Sequence, residues 1–148
     1  MIYPAHTGTS GRRSAQAYAN VGLETQVLGA TPEQLITLLF QGALAAIMKA
    51  RLYMQNQDIP GRGMSISKAI DIVDSGLKAS VNTDVGGELA TNLIATYDLV
   101  IRHLLLANLN ADETQLTLAE SILNDISQAW REAVVETDKN LPADHPTG

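Results

Sequence analysis

The sequence predicts an all-α protein, an antiparallel up-and-down four-helix bundle with a short N-terminal helical cap segment. Aromatic residues make up only 4% of the chain and hydrophobic residues 45%, so the core must be built mainly from aliphatic side chains. Four segments of roughly 20 to 25 residues each show helical spacing of apolar positions. Short connections join these segments, which favours antiparallel packing of neighbouring helices.

A length of 148 residues fits one domain with tails. Residues 1–14 are rich in Gly, Ser, Thr and Pro without apolar periodicity, so we expect a disordered N-terminal tail. The helical bundle domain is expected over residues 15–136, including the cap segment at residues 15–30. Residues 137–148 are expected to form a disordered C-terminal tail.

Charge and composition exclude several classes of function. The net charge of -6 argues against nucleic acid as a partner, because phosphate binding needs clustered Lys and Arg. The absence of cysteine excludes disulfides and thiolate chemistry and fits a cytoplasmic location. The longest apolar run, residues 43–48, is too short to cross a bilayer, so no membrane insertion is expected. Seven acidic residues against Arg131 in residues 111–138 predict an acidic outer face on the last helix, favoured as a solubilising surface over a docking site for a basic partner.

The first long helix has a strong start signal. Thr31 can accept a hydrogen bond from the Gln34 amide, and Pro32 suits the first helical position, where a missing N–H costs nothing. The helix is expected to run to about Asn56. Its outward stripe turns from polar residues to Ala45, Met48 and Leu52, so the second half is apolar almost all round. This excess suggests a second covering surface.

The second helix is expected over residues 64–82, because Pro60 and two glycines in residues 58–63 should break the chain. Its inward positions follow one stripe, which indicates an ordinary surface helix. Gly76 within it predicts a close contact with another helix. The inward set is Ile66, Ile70, Val73, Leu77 and Val81.

The third helix is expected over residues 85–108 with a cap from residues 82–84, and its apolar positions again exceed one stripe. One seam contains Leu89, Leu93, Tyr97, Val100 and Leu104, and a second contains Ile94, Ile101 and Leu105. The fourth helix is expected from a capping box at Asn110 to about Glu136. Its inward set is Leu116, Ala119, Leu123, Ile126, Trp130 and Ala133.

The excess apolar faces of the first and third helices are candidate grooves for a partner's helix. A client that folds on binding loses conformational entropy, so its affinity must come from buried apolar surface. For each candidate taken alone, packing in the bundle core is the favoured interpretation, because neighbouring positions must fill the bundle. The candidates are Ile36, Phe40, Ile47, Met48, Leu52, Ile94, Leu99, Ile101 and Leu106.

No catalytic, metal or cofactor site is predicted. His6 and His145 lie in the tails, and His103 is interpreted as a solvated or half-buried helix residue. A di-iron bundle would need Glu and His three residues apart, a pair that this sequence lacks. No nucleophile elbow or phosphate-binding loop is present either. We therefore predict a protein that is not an enzyme.

The segment of residues 15–30 has weak helical spacing, interrupted by Gly22 and Gly29, and would not be a stable helix alone. Two interpretations stay open. It is either a permanent fifth core helix or a removable cap over a binding groove.

The chain resembles the FliS family, flagellar export chaperones that bind flagellin before secretion. The resemblance rests on residues 18–19, 31–36, 39–43, 68–73, 86–93, 97–98, 104–108 and 129–130, with the segments TPEQLI, LFQGA, KAIDIV, GGELATNL and LLLAN among them. It implies a helical bundle around which the disordered C-terminal region of flagellin wraps. It also implies that an N-terminal segment, with Tyr18 at the matching position, covers part of the groove until flagellin displaces it.

The expected function is a cytoplasmic export chaperone that prevents premature flagellin polymerisation and aids flagellar type III secretion. Components of the export gate are possible further partners. The alternative is a self-associating structural bundle whose excess apolar stripe is a dimer seam. The oligomeric state is expected to be a monomer or a weak homodimer.

Overall fold

The computed structural model describes residues 29–139, which form four helices and no strand. Helix α1 spans Pro32–Gln55. Helix α2 spans Ile59–Asp71 and continues as a π-helical segment, Ile72–Leu77, and a 3-10 turn, Lys78–Ser80. Helix α3 spans Gly87–Asn110 and helix α4 spans Glu113–Lys139. The expected tail at residues 1–14 and most of the expected cap segment lie outside the described residues.

The helices pack in a ring around one core. Helix α1 packs against α2 and α4, and α3 packs against the same two helices. The predicted four-helix bundle is therefore confirmed. The core is almost entirely aliphatic, as the composition requires. Its members are Leu39, Phe40, Ala43, Ala46, Ile47, Ala50, Ile66, Ala69, Ile72, Val73, Leu77, Tyr97, Val100, Leu104, Ala107, Leu116, Ala119 and Leu123.

The start of α1 follows the prediction. The Gln34 amide donates to Thr31 Oγ1 at 3.1 Å, and the Thr31 amide donates to Gln34 Oε1 at 3.0 Å. Two N–H groups that the helix itself cannot satisfy are thereby bonded, and Pro32 occupies the first turn. The helix ends at Gln55, one residue before the expected end.

The predicted start of α2 is wrong by five residues. The helix begins at Ile59, not at Met64, and Asp58 Oδ1 accepts a hydrogen bond from the Gly61 amide at 2.9 Å. Pro60 lies in the first turn, where a helix loses no hydrogen bond to proline. The hydrogen bond from the Gly61 amide to Asp58 therefore stabilises a helix start within residues 58–63, which were expected to break the helix.

Gly76 makes the close helix contact that was predicted. A Cβ atom at this position would lie 2.9 Å from Leu39 Cδ2, so a side chain here would collide with α1. The π-helical segment around Gly76 was not foreseen from the sequence. It brings Ile72, Val73 and Leu77 into the core together.

The starts of α3 and α4 also differ from expectation. Residues 82–84 do not cap α3, because the Asn82 side chain accepts from the Asp84 amide and the helix begins later, at Gly87. Asn110 is the last residue of α3 rather than the cap of α4. Asp112 takes that position and accepts from the Thr114 amide at 3.0 Å. Helix α4 extends to Lys139, and Ala133 is exposed rather than inward.

Basic side chains make three of the contacts between neighbouring helices. Arg51 on α1 binds Glu120 on α4 at 2.9 Å. Arg62 on α2 donates to the side chain and the carbonyl of Asn108 on α3, both at 3.1 Å. Lys78 pairs with Asp98 on α3 and lies 3.7 Å from Asp74.

Helices α1 and α3 are long and apolar enough to cross a bilayer when only length and composition are considered. Core helices of soluble proteins pass the same test, so two such helices are weak evidence for a membrane protein. Only 33% of the most apolar window of α1 and 22% of that of α3 are buried. The expectation that these two helices carry apolar residues beyond the core is confirmed by the exposure of Met48, Leu52, Leu99 and Leu105.

Candidate partner-binding site

An apolar cavity opens at the end of the bundle where α1 begins, and we call it the end cavity. Because the helices run antiparallel, the first half of α1, the end of α2, the start of α3 and the second half of α4 meet here. The volume is about 360 Å³. The lining residues are Ile36, Phe40, Leu77, Ser80, Val81, Leu89, Leu93, Tyr97, Ile126, Ala129 and Trp130.

Local sequence explains the shape of the end cavity. Leu89, Leu93 and Tyr97 are spaced four residues apart and so lie on one face of α3. Leu89 is 75% exposed and forms an open rim, while Tyr97 is only 3% exposed. On α4, the small side chain of Ala129 leaves space beside Trp130. An opening therefore remains where four helix ends could otherwise have closed the core.

The polar atoms of the end cavity differ in how they are bonded. Trp130 Nε1 donates to Thr37 Oγ1 at 3.3 Å, and Ser80 Oγ donates to the Gly76 carbonyl at 2.6 Å. Within residues 29–139, no group bonds to the Tyr97 hydroxyl. Burial raises the pKa of this hydroxyl above its ordinary value.

The described chain begins beside the end cavity. Gly29 and Ala30 line a hollow on the outer side of α1, together with Leu38 and Val134. A second hollow lies between Thr31 and Trp130. Trp130 lines both this second hollow and the end cavity.

The predicted partner-binding residues that the structure describes divide into four groups. Ile36 and Phe40 line the end cavity, although Phe40 is 2% exposed. Ile47 is fully buried in the core, away from any partner, and is no longer counted as a contact residue. Met48, Leu52 and Leu99 are exposed, and the remaining described candidates, Ile94, Ile101 and Leu106, are half-buried. Tyr18 lies outside the described residues.

Sequence reasoning treated several cavity residues as core positions only. Leu77, Val81, Leu93 and Trp130 fall on the inward stripes of their helices, so their periodicity is that of the core. The signal that distinguishes them is their position near helix ends that antiparallel topology brings together. His103 is a half-buried helix residue, as predicted, with Nδ1 2.6 Å from Gln115 Oε1.

Residues 14–137 match the family model described as flagellar protein FliS. The chain belongs to the FliS family. The fold described above and the family resemblance found in the sequence thus agree.

Curated relatives support the same assignment. This FliS-family chain is 45% identical to the flagellar secretion chaperone FliS of Salmonella typhimurium over 79% of its own length and 87% of that protein. It is 41% identical to the flagellar secretion chaperone FliS of Escherichia coli over 83% of its length and 90% of that protein. It is 36% identical to the flagellar secretion chaperone FliSB of Pseudomonas aeruginosa over 80% of its length and 93% of that protein.

FliS is a family of export chaperones and not of enzymes, so the chain has an export chaperone role in flagellar secretion. The described geometry suits this role, because a chaperone needs surface that binds rather than groups that react. Among residues 29–139, no three His, Asp or Glu side chains come together as a metal site.

Proposed function

We propose that this protein holds the disordered C-terminal segment of flagellin in the cytoplasm before export. The open, apolar end cavity carries the proposal, because it offers a site for side chains of a client that has no folded core of its own. Exposed Met48 and Leu52 on α1 and Leu99 on α3 extend the apolar surface available to a client that wraps around the bundle. Holding this segment prevents premature polymerisation and keeps flagellin competent for type III secretion.

The energetics favour several apolar contacts rather than one. A client that becomes ordered loses about 1–2 kcal/mol of backbone entropy per residue. Burial of apolar surface returns about 25 cal/mol per Å². A single cavity cannot offset the ordering of a long segment, so the exposed aliphatic residues outside the end cavity must contribute as well. Met48 suits this use because its unbranched side chain adapts to different client residues.

The cap segment, residues 15–30, covers the end cavity in the absence of client. Tyr18 is eleven residues before Gly29, a distance of about 16 Å along a helix or up to about 36 Å in an extended chain. The hollow that Gly29 lines shares Glu33, Gln34 and Val134 with the hollow that Trp130 lines, so Tyr18 can reach the opening. We propose the removable cap rather than the permanent fifth core helix, because the family resemblance implies a segment that flagellin displaces.

The second candidate function is self-association. Exposed Met48 and Leu52 form an apolar stripe on the outer face of α1, which could serve as a dimer seam. Under this alternative the protein would sediment as a dimer whether or not client is present. Under the main proposal the protein sediments as a monomer or weak homodimer. It forms a stoichiometric complex with flagellin. The protein is then available to components of the export gate.

Leu89→Glu tests the proposed client site. Because Leu89 is exposed on the cavity rim, the substitution should leave the bundle folded while placing a charge in the path of apolar client residues. We expect affinity for a synthetic C-terminal flagellin peptide to fall at least about tenfold by calorimetry, which corresponds to 1.4 kcal/mol.

Leu109→Glu is the matched control. Leu109 is 78% exposed and lies at the opposite end of the bundle, so it has the same chemistry at a distance from the cavity. We expect this variant to bind the peptide with wild-type affinity. Equal affinities for all three proteins would show that the end cavity is not used, and no binding by the wild type at micromolar concentration would contradict the function itself.

A further inference from the structure

Tyr97 combines deep burial with an unused polar group. Its side chain is 3% exposed and lies among core residues of α3, next to Val100 and Leu104 in the same seam. A buried hydroxyl without a partner costs about 1–3 kcal/mol, and such groups in folded proteins usually have a hydrogen bond. The position therefore needs an explanation that core packing alone does not give.

The hydroxyl is directed at accessible space rather than sealed in the core. Among the described residues, every inaccessible side-chain nitrogen or oxygen has a hydrogen-bond partner. The Tyr97 hydroxyl has no partner within residues 29–139, so it must keep some accessible surface. The space that Tyr97 lines is the end cavity.

The donor groups of the other polar side chains that line the end cavity are already used. Trp130 Nε1 donates to Thr37, and Ser80 Oγ donates to the Gly76 carbonyl. The remaining walls are aliphatic or aromatic carbon. Among the side chains that line the end cavity, the Tyr97 hydroxyl is thus the donor left for an occupant.

We propose that the Tyr97 hydroxyl determines which client residues the end cavity accepts, an inference that rests on the proposed function. The accepted client segment places an apolar side chain against the walls and an uncharged hydrogen-bonding group against the hydroxyl. That group is an amide or hydroxyl side chain, or a main-chain carbonyl left free at the end of a client helix. A charged group is rejected because the apolar walls cannot replace its hydration.

This arrangement gives selectivity that apolar walls cannot give. A hydrophobic pocket discriminates weakly between aliphatic side chains of similar size. A purely apolar occupant, however, would cover the hydroxyl and leave it without water or partner. A phenol with its ordinary pKa is already neutral near pH 7 and can both donate and accept, and burial raises the pKa of Tyr97 further.

Tyr97→Phe removes the hydroxyl and keeps the ring. In the full-length protein we expect this variant to bind the C-terminal flagellin peptide about threefold to tenfold more weakly than wild type, the range for one net hydrogen bond. Thermal stability should not fall, since the lost group has no partner in the described bundle. Tyr53→Phe is the control, because Tyr53 packs on Gly61 at the other end of the molecule and should bind peptide normally.

A spectroscopic readout separates the hydrogen bond from packing. With tyrosine labelled with carbon-13 at Cζ, we expect the Tyr97 signal to shift when peptide binds and the Tyr53 signal to stay in place. Weaker binding by Tyr97→Phe without a shift in the wild-type signal would overturn the hydrogen bond. Unchanged affinity of Tyr97→Phe while the wild type binds would overturn this inference alone, whereas no binding by the wild type would overturn the proposed function with it.

Discussion

Two glycines near the start of α2 have opposite surroundings. A Cβ atom on Gly61 would lie 2.5 to 2.7 Å from three carbons of the Tyr53 ring. A Cβ atom on Gly63 would meet nothing within 4 Å. Gly61 is therefore required by the close approach of α1 and α2, while Gly63 only adds conformational freedom to the unfolded chain.

Alanine substitutions at these two positions should change stability in opposite directions. Gly63→Ala should raise the free energy of unfolding by about 0.5–1 kcal/mol, because alanine favours the helix. Gly61→Ala should lower it by about 1–3 kcal/mol, because the Tyr53 ring must move away. Urea denaturation of both variants provides the measurement, and a Gly61→Ala protein as stable as Gly63→Ala would contradict the packing described.

Helices α1 and α4 are connected by a cluster of charged and polar side chains around Arg51. Its guanidinium donates to both carboxylate oxygens of Glu120, at 2.9 and 3.4 Å, and to Thr117 at 3.2 Å. Glu113 lies 3.4 Å from Arg51 Nε. Because the Arg51 side chain is only 19% exposed, this cluster is shielded from solvent more than an ordinary surface ion pair.

Replacement of Arg51 by methionine should weaken the α1–α4 contact. We expect a loss of about 1–2 kcal/mol, below the full value for a buried charge pair because Glu113 and Glu120 keep some solvent contact. Lys49→Met on the exposed side of the same helix is the control and should stay within about 0.5 kcal/mol of wild type. Thermal unfolding checks both, and equal melting temperatures would exclude a stabilising role for Arg51.

The start of a helix is predictable from the sequence when the interactions that determine it lie within a few residues of that start. The start of α1 was predictable because its capping box is formed entirely within residues 31–34. The start of α2 was not, because Pro60 and Gly61 suit either a break or a first turn, and the choice depends on Tyr53 packing across from α1. The acidic outer face of α4 was predicted only in part, since Glu120 turns toward Arg51.

At the scale of the whole molecule, two groups make the bundle sensitive to alkaline pH. The hydrogen bond to Asp98 raises the pKa of Lys78, and burial raises the pKa of Tyr97. Both groups hold their protons more strongly in the folded than in the unfolded state. Their contribution to stability is therefore complete below pH 10 and is lost as the pH rises above the unfolded values of 10.0 and 10.5.

We expect the melting temperature to fall between pH 9 and pH 11, in part because Tyr97 ionises more readily in the unfolded chain than in the folded bundle. Tyr97→Phe should have a smaller fall over the same range, because phenylalanine cannot ionise in the unfolded chain. Calorimetric scans of both proteins across this range provide the test. Parallel pH profiles for the two proteins would count against the role assigned to Tyr97.

The bundle was predictable from the sequence, but the end cavity was not. Periodicity identifies which side chains point inward on each helix, and it does so correctly for Leu93, Tyr97 and Trp130. Whether inward side chains fill the space between four helices depends on how far each helix is shifted along its axis relative to its neighbours. Those shifts are set by contacts between residues far apart in sequence, such as Gly76 against Leu39. The sequence of one helix alone does not reveal such contacts.

An even number of antiparallel helices places both ends of the described chain on the same side of the molecule, and Thr31 and Thr137 line one hollow there. The opening of the end cavity lies on that side too. A purification tag or fluorophore fused directly before Gly29 or after Lys139 would therefore crowd the opening. The tight turns at Gln57 and Ala111 lie at the opposite end of the bundle. A tether to a sensor surface attached at either turn would leave the opening of the end cavity unobstructed.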